Sequence, residues 1–93
     1  MVEPPAPGTK YRPLYEHLAG LPPAARHVLH SFEQIERILG ARLPPSAHHH
    51  QAWWSNGSNP KPLVEARAWL AAGWRTEDVA EHQPKEQMVF VRV

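Results

Sequence analysis

Proline placement constrains this chain more than any other feature. Eleven of its 93 residues are proline, and each one fixes φ, removes a backbone donor and is tolerated only at a helix's first turn or outside it. Pro4, Pro5 and Pro7, with Gly8, deny regular structure to residues 1–10, which are expected to form a flexible lead-in with order beginning near Tyr11. Pro13 suits the first turn of a helix, Pro22-Pro23 break the chain after it, and Pro44-Pro45 open another helical turn. Pro60 and Pro62 are tolerated only at the start of a further helix, and Pro84 belongs to a turn. The chain is thus cut into short elements.

Between these breaks, periodicity supplies the elements. Tyr11, Leu14, Tyr15 and Leu18 fall on one helical face ending at Gly20. His27–His30 reads as a single short strand. Ser31 with Gln34 forms a capping box for a helix over 32–39, buried through Phe32, Ile35, Ile38 and Leu39 and stopped by Gly40. Ser46–Trp54 reads as the next helix, and Ser55–Asn59 as a loop. Asn59 is expected to cap a helix carrying Leu63, Ala66, Leu70 and Trp74 on one face and ending at Gly73. Trp74–Val79 and Met88–Val93 read as strands of a closing hairpin around a Glu81–Glu86 turn. In the last strand Met88, Phe90 and Arg92 share one face and Val89, Val91 and Val93 the other. The expected fold is α+β: a helix-turn-helix core closed by a C-terminal β-hairpin, winged-helix-like with one helix added, in a single domain over 11–93.

Composition narrows the class. There are no cysteines, which excludes disulfide scaffolds, cysteine-ligated zinc and a cysteine nucleophile. No apolar run approaches the ~20 residues a membrane span needs. The N-terminus lacks a basic stretch followed by an apolar one, so no signal peptide is expected and the expected location is cytoplasmic. Net charge is +1, but it is unevenly spread. From Arg37 to Arg75 five basic residues (Arg37, Arg42, Lys61, Arg67, Arg75) face only Glu65, a local +4, and the rest of the chain carries −3. Such asymmetry suits a surface that meets phosphate, as well as a merely solvated one.

Three stretches carry candidate function. The capped helix, the break at Gly40 and the helix begun by Pro44-Pro45 resemble a helix-turn-helix, whose second helix would present Ser46, His48, His49 and Gln51 to base edges while Arg42 reaches phosphate. Lys61, Arg67 and Arg75 are further phosphate candidates. In Trp53-Trp54-Ser55-Asn56 the adjacent indoles face different ways, so one is expected in the core and the other, taken as Trp54, at a stacking surface, with Asn56 at a base edge or closing the turn. His48-His49-His50 point about 100° apart on a helix and do not converge on one metal ion. No metal or cofactor is expected. There is no Gly-rich phosphate loop, nucleophile elbow or informatively spaced carboxylate pair, so no catalysis or small-molecule substrate is expected.

YRPLYEHL, SFEQIERILGARLPPSA, AWWSN, ARAWLAAGW and the closing MVFVR together resemble a small bacterial and viral domain of unknown function. Its members share, in order, a PLYxxL helix, an FxxIExILG helix, an LPxSA turn, a WWSN segment, an AxxWxxAGW helix and a closing VxF strand. The likeness spans Tyr11 to Arg92. It implies a nucleic-acid-binding accessory role, because similar domains stand alone or beside nuclease and restriction-type modules. Similar sequences are often more basic between Ser46 and Trp53, where this chain has His48-His49-His50-Gln51; binding through that helix would then be weaker or pH-dependent.

The expected function is therefore a double-stranded-DNA-binding module, a regulator or the targeting part of a defence system. The alternative is a protein-interaction or homodimerisation module, using an exposed tryptophan and a free strand edge at Val91-Arg92-Val93. A third reading is single-stranded nucleic acid or RNA bound by tryptophan stacking.

Overall fold

A computed structural model describes residues 2–57, 61–77 and 86–93. Among these residues four α-helices, one 3-10 turn and three strands follow in the order α1 (Arg12–Ala19), β1 (His27–Ser31), α2 (Phe32–Leu39), α3 (Pro45–His49), the 3-10 turn Gln51–Trp54, α4 (Ala66–Leu70), β2 (Trp74–Glu77) and β3 (Gln87–Arg92). The molecule is a small α+β fold. Asn59, Pro60, His82 and Pro84 lie outside the described residues.

α2 has the bounds its cap and stop signals dictate. Ser31 Oγ accepts from the Gln34 amide at 3.0 Å, and Gln34 Oε1 accepts from the Ser31 amide at 2.7 Å. Gly40 closes the helix at φ 70°, a left-handed conformation that glycine adopts without a Cβ penalty. Phe32, Ile35 and Leu39 are buried. α1 buries Leu14 and Leu18 and leaves Tyr11 and Tyr15 half-buried.

Two helices are shorter than the sequence suggests. The helix expected over Ser46–Trp54 stops at His49, because His50 is extended (φ −126°, ψ 112°) and Gln51–Trp54 resumes as a 3-10 turn. In the folded chain Trp54 is gripped between Phe32 and Trp69, at ring separations of 5.1 and 5.7 Å, and its indole N–H donates to the Ala47 carbonyl at 2.9 Å. A local break at His50 is compatible with that packing, and no side chain caps α3 to extend it. The helix expected after Asn59 begins only at Ala66. Pro62 biases Lys61 away from the α region, and Arg67 N–H reaching the Leu63 carbonyl is the early helical bond there.

The sheet is antiparallel with strand order β1-β3-β2. Val28 pairs with Phe90 across β1–β3, and Thr76 with Phe90 across β2–β3. β3 is therefore central. This corrects the expectation of a free edge at Val91-Arg92-Val93: β1 supplies a second partner from 56 (Ser31–Gln87) to 64 (His27–Val91) positions upstream, and the edges are β1 and β2. The inner face of Trp74, Thr76, Met88 and Phe90 is buried under the helices, with Trp69, Trp74, Phe90, Leu18 and Ile35 fully enclosed. The outer face carries Leu29, Val89, Val91 and Arg75, of which Leu29 is 51% exposed.

The lead-in expected to be flexible contains no helix or strand, yet it is tied to the fold. Pro5 is buried. Arg12 donates to the Pro5 carbonyl at 2.8 Å, and Arg67 donates to the Glu3 and Pro4 carbonyls at 2.9 and 3.1 Å. A segment without secondary structure leaves its carbonyls unpaired, and guanidinium groups satisfy them.

Candidate nucleic-acid interface

The turn between α2 and α3 is held from within. The Glu36 carboxylate accepts the Leu43 amide at 2.8 Å, and Leu43 and Ala47 are buried. This anchoring leaves Arg42, Ser46 and His49 exposed on one connected stretch. His48 stands beside them, edge-on to Phe32 at 5.2 Å and 3.3 Å from the Glu86 carboxylate. Gln51 opens the 3-10 turn; its side chain lies outside the described residues.

The basic residues of the central segment divide into two groups. Arg37 pairs with Glu33 on its own helix, and Arg67 is taken up by the N-terminal segment, with Glu3 at 3.8 Å. Arg42, Lys61 and Arg75 are exposed and have no carboxylate partner among the described residues. Arg75 lies on β2 at the rim of an open cleft of about 610 Å3, lined also by Ala52, Ser55, Glu77 and Met88.

The WWSN segment is turned inward. Trp54 is only 4% exposed, which leaves no ring face for a stacking base. Trp53 is half-buried and packs edge-on to Tyr11 at 6.0 Å. Asn56 Oδ1 accepts from the Trp69 indole N–H at 3.0 Å and from the Thr76 amide at 2.9 Å, while Nδ2 donates to the Thr76 carbonyl at 2.8 Å. The side-chain amide thereby pairs with both backbone groups of Thr76 on the outer edge of β2, as a neighbouring strand would. Thr76 Oγ1 donates to the Trp54 carbonyl at 2.6 Å. Sequence reasoning missed Thr76, although its place two residues after Trp74 in a strand puts it on the buried face.

The chain matches the family model for a domain of unknown function, DUF7662, over residues 11–93. The chain belongs to this family. The DUF7662 match covers every helix and strand described above, and the tied N-terminal segment precedes it. No curated protein and no solved structure matches the chain. Among the described residues of this DUF7662 domain, no three His, Cys, Asp or Glu side chains come together in a way that could hold a metal ion, and no helix is long and apolar enough to cross a membrane.

Proposed function

We propose that this DUF7662 domain is a cytoplasmic double-stranded-DNA-binding module, a regulator or targeting accessory, and not an enzyme. The observation that carries the reading is that Arg42, Lys61 and Arg75, all from the +4 centre, stand exposed without carboxylate partners among the described residues. The order α1–β1–α2–α3 followed by the antiparallel pair β2–β3 supports a winged-helix-like plan with α4 added. Arg42 and Arg75 contact phosphate in this reading, with Lys61 in support, while Ser46, His48 and His49 face base edges. The short α3, five residues long, restricts base contacts to a few side chains, so affinity rests mainly on phosphate.

Fluorescence anisotropy with duplex DNA across a salt series tests this. Three phosphate contacts give a slope of log affinity against log salt of about −2.7, and each of Arg42→Ala and Arg75→Ala reduces it by about 0.9. Absence of micromolar binding even at low salt overturns the reading, and stronger binding to single-stranded competitor redirects it.

A second reading, self-association, has its own support: on the outer face of the sheet Leu29 is 51% exposed beside Val89 and Val91, and Val93 follows at 84%. Light scattering on the eluted protein separates a dimer from a monomer. Arg42→Ala leaves a dimer intact.

A further inference from the structure

Away from the candidate interface two histidines meet. His17 projects from α1 and His30 from β1, with their Nε2 atoms 3.2 Å apart and ring centroids 5.1 Å apart. Both are half-buried, and Phe90 of β3 lies 6.2 Å from the His30 ring. The other ring nitrogen of His30, Nδ1, is buried and has no hydrogen-bond partner among the described residues.

These positions decide the tautomers. Two ring nitrogens at hydrogen-bond distance share one proton. Orphaned buried N–H groups are the rarest unsatisfied groups in folded proteins, so the lone nitrogen Nδ1 of His30 is the bare one. His30 therefore carries its proton on Nε2 and donates to Nε2 of His17, which is protonated on Nδ1. We propose that this contact is a one-proton clasp joining α1 to the edge strand β1, weakened by acid. A further proton on His17 sets two N–H groups against each other, or drives the His30 proton onto the orphaned Nδ1. The first loses the bond; the second turns it round, with His17 donating, and leaves a buried N–H without an acceptor.

The surrounding charges offer no relief. On α1, Arg12 pairs with Glu16; on α2, Glu33 pairs with Arg37 and Glu36 holds the Leu43 amide. Arg67 of α4 is bound to the N-terminal segment, and Arg92 of β3 donates to the Ala25 and Pro22 carbonyls. Burial, and next the charge of His17, push the His30 imidazole below its ordinary value of 6.5; the nearby Gln34 side chain, whose oxygen is taken by the Ser31 amide and which makes no hydrogen bond to Nδ1, works in the opposite direction. A group whose folded value is lowered is neutral at no cost above 6.5; below it, the unfolded chain takes up protons that the folded chain refuses. The clasp's stability is therefore present at neutral pH and lost as the pH falls through about 6.5, with the ratio of folded to unfolded chain dropping about tenfold per unit of depression.

Two measurements on the full chain decide the matter. Long-range proton–nitrogen NMR of the imidazoles is expected to show His30 as the Nε2–H tautomer at pH 7.5, and still mostly neutral at its ordinary midpoint of 6.5. Urea denaturation at pH 7.5 and 5.5 is expected to show a steeper loss of stability for the wild type than for His17→Gln, whose amide oxygen still accepts from His30 but does not titrate. The other five histidines are the same in both proteins. A His30 proton on Nδ1, or equal pH dependence in the two proteins, overturns the clasp. So does zinc(II) raising the melting temperature of the wild type but not of His17→Gln, which makes the pair a metal chelate. If His17→Gln does not fold, the wild-type tautomer and titration alone decide.

Discussion

Asn56 spends its side chain inside the protein, on Trp69 and on both backbone groups of Thr76. Replacing it with alanine leaves the Trp69 indole N–H and the Thr76 backbone unpaired in a half-buried site, at a cost of about 2–3 kcal/mol. Urea denaturation measures this, and Asn56→Asp should also destabilise, because a carboxylate faces the Thr76 carbonyl where the amide donated. The residue was conspicuous in the sequence, but as a base-edge candidate. Its partners lie 13 and 20 positions away, and no local spacing encodes them. The tryptophans follow the same logic. The indole N–H groups of Trp54, Trp69 and Trp74 each find an acceptor, at Ala47, Asn56 and Leu18. Their large apolar areas are spent on the core, and each polar tip is satisfied, as burial demands.

At the scale of elements, α2 was readable to the residue because its start and stop are local chemistry. Ser31→Ala removes the acceptor for the Gln34 amide and should cost about 1 kcal/mol; Ser31→Asn should recover most of it, as thermal denaturation of the pair will show. α3 and α4 were less readable. Their lengths depend on what Trp54 and the Pro62 segment meet elsewhere, and a helix this short draws its stability from tertiary contacts more than from propensity. The strands were located by alternation, but their neighbours were not. Because β3 is paired on both sides, its amides should exchange with solvent more slowly than those of β1 and β2; hydrogen exchange resolved by residue checks this. Exchange at Val89 and Val91 as fast as at Leu29, whose amide faces away from β3, would contradict the strand order.

For the whole molecule, Arg67 is the cation of the +4 centre that holds the N-terminal segment to the fold, and the proposed DNA binding leaves it out. Its guanidinium already serves the Glu3 and Pro4 carbonyls. Arg67→Ala should free the N-terminal segment, seen as faster proteolysis within residues 1–10, and should lower DNA affinity less than Arg42→Ala does. An equal loss of affinity would place Arg67 in the interface. The sequence by itself determined the number and order of the elements, the capped helix, the inward face of β3 and the +4 centre, because caps, periodicity and charge are properties of neighbouring residues. Only the tertiary structure decided which cations remain exposed, which tryptophans are buried, that β3 lies between β1 and β2, and that His17 meets His30. Each of these joins residues far apart in the chain, where burial and pairing geometry, not local propensity, select the partner.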